Sequence, residues 1–376
     1  HPDGVLISFE NMRSIVEIDV DNHVAVVQPG VTLHELDDAL KPHGLIYPVQ
    51  PGENSASLGG NVATNAGGMR AVRYGVTRNQ VLGLTAVLGT GEVITTGGKF
   101  VKATSGYDLT QLVIGSEGTL ALATEAILRL HPRAAHAATV LVPFPDLGHV
   151  AASIPRILGS GINPTILEYI DFITMTAITS AANLDLGVPQ EIKDAAMAYL
   201  VVVLENHVDS RVEEDTQALA ELCTELGGLD VYVLPPSAGS ALIEARERAF
   251  WTAKAMNANE IIDVVVPRAE IPGYLDQCQV VANEYGSLVV GCGHAGDGNV
   301  HLSVFQPDPE KCHATVHGIL AAGVERGGAV SGEHGIGRAK KAHLAEIEDP
   351  NKLDLMRRIK AAFDPAGILN PGAIFD

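Results

Sequence analysis

One turn constrains this chain more than any other stretch. The sequence GHAGDGNVH, Gly293 to His301, has Asp297-Gly298 near its centre, and Asp-Gly between apolar runs is a strong two-residue hairpin signal. Its flanks, SLVVGC and LSVFQ, read as strands. The segment must therefore fold back on itself as an antiparallel pair. With the turn on Asp297-Gly298, Gly296 faces Asn299, Ala295 faces Val300 and His294 faces His301. A four-residue loop centred on the same dipeptide keeps that register. The two imidazoles then share one face, with Cβ atoms roughly 5 Å apart.

Two imidazoles so placed suit one metal ion, although a packed histidine pair would give the same pattern. A second glycine-rich loop, SGEHGIG, Ser331 to Gly337, adds Glu333 and His334. His294, His301 and Glu333 form a set of two imidazoles and one carboxylate. That set, with open positions, belongs to catalytic rather than structural metal centres and suits Zn, Mn or Fe. Side chains of sequential residues diverge in an extended segment, but Gly332 and Gly335 free the backbone to present both. The division of labour expected is Glu333 to the metal and His334 free as general base. Taken alone, such a centre also fits a hydrolase that activates water.

The 376 residues are 46% hydrophobic and 19% charged, enough for a sizeable core and two domains. The net charge of −20 argues against a nucleic-acid partner and against electrostatic binding to an anionic membrane. It leaves room for a small anionic substrate held by a local arginine or metal. Cys223, Cys278, Cys292 and Cys312 show no CxxC spacing, which points to a reducing compartment. No apolar run is long enough for a membrane span. HPDGVLISF has no basic or apolar leader character, so a cytoplasmic location is expected, with contact to a membrane only through an electron acceptor. The abrupt start at His1, straight into VLIS, leads us to expect that upstream residues are missing.

Along the chain, VLISF, SIVEIDV and HVAVVQPG read as strands. VTLHELDDALKPHG reads as a helix with Thr32 as N-cap and Glu35 three residues on. A loop-rich block, PGENSASLGGNVATNAGGMRAVRYGVT, follows. VLGLTAVLGTGEVIT reads as a hairpin around Gly-Thr-Gly, and GSEGTLALATEAILRLHPR as a strand closed by Pro132. After that point strands alternate with helices. HAATVLVPF, AYLVVVLEN, LDVYVLPP and EIIDVVVP are strand-like. DLGHVAASIPRILGSG, SRVEEDTQALAELCTELGG (Ser210 as N-cap, Gly227 as C-cap), AGSALIEARERAFWTAKAMN and RAEIPGYLDQCQVVANEYG are helical. Helices over 309–326 and 350–364 end the chain. The pattern is α+β, with a sheet covered by helices on one face.

These motifs together carry a resemblance. GHAGDGNVH, SGEHGIGRAKK, PGENSASLGGNVATNAGG, RYG, GSEGTLALATEAILRL and LNPGAIF occur in one order from Val5 to Phe375. In this the chain resembles the FAD-linked D-2-hydroxyacid dehydrogenases, which include D-lactate dehydrogenase of the cytochrome type and the glycolate oxidase FAD subunit, within the vanillyl-alcohol-oxidase flavoprotein superfamily. The resemblance implies an FAD-binding (PCMH-type) domain over 1–132, a cap domain with an antiparallel sheet over 133–330, and a C-terminal segment, 331–376, returning to the flavin. It places FAD contacts on Pro51, Gly52, Ser57, Gly60, Asn61, Asn65, Gly67, Gly115, Ser116, Glu117, Gly118 and Asn370. Glycines there would let backbone N–H groups approach a pyrophosphate or flavin ring. It assigns the metal to His294, His301 and Glu333, the base to His334, and a carboxylate-binding guanidinium to Arg246.

The sequence departs from the family pattern twice. A phosphate-binding loop of the RGGGTGLSGGA kind is absent, which raises the alternative of an FAD-depleted, non-catalytic form. Phe250 and Ile261 stand where hydroxyglutarate enzymes carry a threonine and a lysine for the distal carboxylate. The expected substrate is therefore a lactate- or glycolate-like 2-hydroxy acid. The expected electron acceptor is a quinone, a cytochrome, an electron-transfer flavoprotein or oxygen, and the family allows a homodimer.

Overall fold

The computed structural model describes residues 4–375. Residues 1–3 and 376, at the outer limits of the expected domains, lie outside the described residues. The strands are β1 (Ile15–Asp19), β2 (Val24–Val27), β3 (Leu45–Ile46), β4 (Val81–Leu88), β5 (Val93–Gly97), β6 (Ala121–Arg129), β7 (His131–Pro132), β8 (His136–Phe144), β9 (Ile166–Asp171), β10 (Ala198–Asn206), β11 (Tyr232–Leu234), β12 (Glu260–Val265), β13 (Leu288–His294) and β14 (Asn299–Phe305). The chain divides into two compact units. The first is 1–67, 75–133 and 335–376; the second is 68–74 and 134–334.

The first unit is built on an antiparallel sheet in the order β1-β2-β6-β4-β5. The helix Leu33–Leu40 starts as the sequence requires. Thr32 Oγ1 accepts from Glu35 N–H, and the Glu35 carboxylate accepts from Thr32 N–H, a complete capping box. Leu33, Leu36 and Leu40 from this helix join Val27, Leu58, Val62, Leu84 and Leu128 in one core. The hairpin β4–β5 forms around Gly89-Thr90-Gly91 as expected. The run VLISF does not form a strand. Val5 and Leu6 are 89% and 95% exposed and have no ladder partner among the described residues, and β propensity without a neighbouring strand yields no sheet.

The second unit holds a seven-stranded antiparallel sheet, ordered β11-β8-β10-β9-β13-β14-β12. Helices cover both of its faces, not one. Leu141, Tyr199 and Val201 pack with Met175 and Ile178 of the helix Phe172–Ala181 and with Leu242 of the helix Pro236–Glu247. The alternate set, Val140, Val142, Leu200 and Val202, is equally buried on the face where the helices Leu147–Gly159 and Asp209–Glu225 pack. The signal was the near-continuous apolar run in AYLVVVLEN, which marks a strand buried on both sides.

Two helix boundaries differ from expectation. The Asp209–Glu225 helix has Val208, not Ser210, at its N-cap, and Gly227 sits just past the end at φ +90°, where glycine is favoured. The stretch AGSALIEARERAFWTAKAMN splits at Arg248 into Pro236–Glu247 and Ala249–Ala255. The segment 162–197, unassigned by sequence periodicity, holds β9 and the Phe172–Ala181 helix. Residues 68–74 attach to the second unit through an Arg70–Glu205 ion pair and through Arg73 Nη1, which donates to Thr165 Oγ1 and Glu205 O, both at 3.0 Å.

The β13–β14 hairpin forms, but in a register two residues from the one expected. His294 pairs with Asn299 and His301 with Cys292, so the loop is Ala295-Gly296-Asp297-Gly298. A shift of two preserves the face, and the histidines become diagonal neighbours on it. Gly298 adopts φ +93°, and a Cβ there would lie 2.1 Å from the Val266 carbonyl oxygen. Gly298→Ala is therefore expected to destabilise the protein by about 1–3 kcal/mol, read as a lower urea midpoint at unchanged slope.

Candidate active site

Strand register alone assembles most of the site. Strands β9, β13, β14 and β12 are consecutive neighbours in the sheet. Asp263 pairs with His301, His301 with Cys292, and Tyr169 with Gly293. With side chains alternating between faces, Glu168, His294, His301 and Asp263 all emerge on one face, one from each strand. Ile261, two residues before Asp263, shares it. Arg246 reaches this group from the last turn of the Pro236–Glu247 helix.

The histidine rings stand edge to face with centroids 4.8 Å apart. Glu333 Oε1 lies 3.2 Å from His294 Nε2 and 3.4 Å from His301 Nε2, and one ligand atom from each of the three residues lies within 4.8 Å of the others. Ligands about 2.1 Å from a shared ion stand roughly 3.0–3.4 Å from each other. The nitrogen–oxygen separations fit that spacing. Charge agrees: Glu168, Glu333 and Asp263 are carboxylates against the single guanidinium of Arg246. With neutral imidazoles, two negative charges stay unbalanced in a buried site, a deficit that one divalent cation would cancel. The same imbalance acts on protons. Burial opposes charge on His294, yet Glu168 and Glu333 outweigh it and raise its pKa well above the usual histidine range. Burial likewise opposes ionisation of Glu333, but His294, His301 and His334 hold its carboxyl down at about 2.

His334 stacks on His301, with centroids 5.3 Å apart and planes at 30°. Its side chain is 37% exposed, the most open of the group. The glycines flanking Glu333-His334 act differently from one another. Gly332 is needed for space, because a Cβ would meet Asn299 Nδ2 at 2.1 Å, whereas Gly335 is needed for its φ of +78°.

Two carboxylates absent from the sequence-based set are central here. Glu168 is completely buried. Its Oε1 is 2.7 Å from His294 Nδ1 and its Oε2 is 2.7 Å from Arg246 Nη2. Asp263 is also completely buried. Each is a carboxylate flanked by apolar strand residues, in ILEY and IIDVVV. Acidic residues are almost never fully buried unless paired, and that was the legible signal. Because the bond at Nδ1 sets the basicity and orientation of Nε2, Glu168→Gln would weaken a metal held by the triad about 10- to 100-fold. Competition against a chromophoric chelator measures it.

The expected cofactor set lies in the first unit. Asn61 Nδ2 and Ser116 Oγ are buried there with no hydrogen-bond partner. Unpaired buried polar groups cost free energy, so these two fit a ligand's polar atoms. Other members have structural duties. Ser57 caps the helix Leu58–Thr64 by accepting from Gly60 N–H at 3.2 Å. Asn65 ends that helix at φ +55°, and its Oδ1 accepts from Arg78 N–H. Glu117 directs its carboxylate away from a cofactor role: it accepts from Ile336 and Gly337 N–H, both at 2.7 Å. Asn370 Nδ2 donates to the Glu117 carbonyl. Their contribution to a cofactor would come through the backbone. Gly52, Gly115 and Gly118 adopt positive φ, whereas Pro51, Gly60 and Gly67 do not.

Residues 133–374 match the family of FAD-linked oxidases, C-terminal domain, and residues 1–97 match the FAD binding domain. The chain belongs to the FAD-linked oxidase family and has the PCMH-type FAD-binding fold. It is 57% identical over 99% of its length to an FAD-linked oxidoreductase of Mycobacterium tuberculosis strain H37Rv, of which it covers 81%. It is 36% identical to D-lactate dehydrogenase of Archaeoglobus fulgidus, covering 99% of this chain and 81% of that one. It is 35% identical to glycolate oxidase subunit GlcD of Bacillus subtilis, covering 99% and 79%. The structure of p-cresol methylhydroxylase with substrate bound superposes with a TM-score of 0.77 at 17% identity, over 98% of this chain and 79% of that one, a likeness of fold. Family membership sets aside the hydrolase alternative. No helix of the described residues is long and apolar enough to cross a membrane.

Proposed function

We propose that this FAD-linked oxidoreductase oxidises a short D-2-hydroxy acid, of the lactate or glycolate kind, to the 2-keto acid. The observation that carries the reading is the shared sheet face on which Arg246, the His294-His301-Glu333 triad and His334 meet. A 2-hydroxy acid offers a carboxylate, an adjacent hydroxyl and an α-hydrogen. Arg246 Nε and Nη2 are buried without a hydrogen bond; the 2.7 Å contact with Glu168 is an ion pair, not an aligned hydrogen bond. A guanidinium with unused donors is suited to grip a carboxylate. His294, His301 and Glu333 would hold a divalent metal, which when bound supplies Lewis acidity to the substrate hydroxyl.

His334, exposed enough to meet substrate, takes the hydroxyl proton as the hydride leaves the α-carbon. FAD, when bound, supplies the two-electron acceptor, with Asn61 and Ser116 as free donors toward it. The names of relatives, D-lactate dehydrogenase and glycolate oxidase subunit, support this substrate class. So do Phe250 and Ile261, which offer no donor to a distal carboxylate.

Dialysis against a chelator tests the metal. Turnover of D-lactate with a dye as electron acceptor is expected to fall to background while FAD content stays constant, and to return with one of Zn, Mn or Fe. Full turnover in metal-depleted protein would remove the ion from the reaction. FAD content itself separates the enzyme from a cofactor-free form.

A further inference from the structure

Two arginines of the first unit have no acid to answer. The chain carries 25 Lys and Arg against 45 Asp and Glu, so carboxylates are plentiful. Elsewhere in the same unit guanidiniums take them: Arg13 pairs with Glu35, and Arg133 with Asp37. Arg78 and Arg129 form no ion pair among the described residues. Arg129 ends strand β6 on the sheet face opposite its core neighbour Leu128, and its Nε is enclosed without a hydrogen bond. Arg78 Nη2 donates to the Ile114 carbonyl at 3.3 Å, a neutral partner. Both line one cleft of about 470 Å³, set between strands β4 and β5 and the segment 100–111. The one carboxylate lining it is Asp108, which already accepts from Gln111 N–H at 3.1 Å as the cap of the helix Leu109–Val113. Positive charge thus prevails in this cleft, although the chain as a whole is strongly negative.

We propose that this cleft binds a small molecule that joins a phosphate monoester to an aromatic ring, of the size of a nucleoside monophosphate. The site is additional to the reaction proposed above and does not rest on it. Two guanidiniums without carboxylates suit a dianionic phosphate, whose oxygens accept charge-assisted hydrogen bonds from both. Thr95, exposed on β5, adds a hydroxyl. Phe100 and Tyr107 bring two aromatic side chains to the same cleft, and they are 51% and 94% exposed. Aromatic area left open beside an anion site suits a ring that stacks on it. The volume lies within the range of small-molecule sites, about 300–1,000 Å³. None of the residues expected to contact FAD lines the cleft. Arg78 alone links the two regions, since its N–H donates to Asn65 Oδ1. Arg129 is therefore the residue by which the cleft can be tested apart from the cofactor.

The test titrates FAD-loaded protein with guanosine monophosphate, which is no part of FAD, in phosphate-free buffer and follows the heat of binding. One molecule is expected to bind per chain, with a dissociation constant below about 1 mM. Guanosine, which lacks the phosphate, is expected to bind at least about 10-fold more weakly, and so is the monophosphate to Arg129→Gln, with FAD content unchanged. Thr95→Glu, a change at an exposed strand position, sets a carboxylate in the cleft and is expected to weaken binding as much. It keeps the test decisive where Arg129→Gln lowers the urea midpoint. No binding to wild type, equal binding of guanosine, or full affinity in either variant would each overturn the assignment. Release of FAD by the monophosphate would overturn it as well, because the ligand would then be occupying the cofactor's place.

Discussion

His334→Ala is expected to lower kcat for a 2-hydroxy acid by on the order of 10²–10⁴, with KM, FAD content and metal content unchanged. The expectation follows from the position of the ring. His294 and His301 are almost fully enclosed and turn their Nε2 atoms to Glu333, the arrangement the proposed metal site requires. His334 alone is more than one-third exposed and points neither ring nitrogen at the triad carboxylate. In the proposed reaction its deletion would remove the proton acceptor but no triad residue, so steady-state kinetics should show a kcat effect without a binding effect. Loss of metal with loss of rate would instead make His334 a structural neighbour.

Arg246→Met is expected to act on both reaction and stability. If Arg246 grips the substrate carboxylate as proposed, kcat/KM should fall by about 2–5 kcal/mol, roughly 30- to 5,000-fold. The fold should lose about 3–5 kcal/mol, because Glu168 is completely buried and would keep a charge with only His294 against it. Urea denaturation of the single and double variants separates the two effects. Adding Glu168→Gln to Arg246→Met should recover part of the stability, since the second change removes the uncompensated charge. It should recover none of the activity. A fully additive double variant would show that the two side chains do not interact.

The hairpin at Asp297-Gly298, the capping box at Thr32 and the strand–helix alternation after Arg133 were all legible in the sequence, because each is written in local residue chemistry. The shared face of His294 and His301 was legible although their pairing was not. Side-chain alternation survives a shift of two residues, whereas the loop that sets the register depends on the space around Gly296 and Gly298, which belongs to Val72 and Val266. The run Val5–Phe9 misled because strand propensity says nothing about partners. Glu168 and Asp263 were missed for a related reason. Their roles exist only once four strands lie side by side, and a single carboxylate in an apolar run does not name the imidazole it will meet. Glu117 shows the reverse: a side chain within a cofactor-like motif whose oxygens serve the chain itself.

The most direct measurement is the absorption spectrum of the FAD-loaded protein under anaerobic conditions, before and after D-lactate or glycolate. The proposed function predicts that the oxidised-flavin bands bleach within the turnover time, with one 2-keto acid formed per flavin, and that His334→Ala bleaches at least about 100-fold more slowly. Flavin bands that persist with every short 2-hydroxy acid, in protein carrying both FAD and metal, would contradict it.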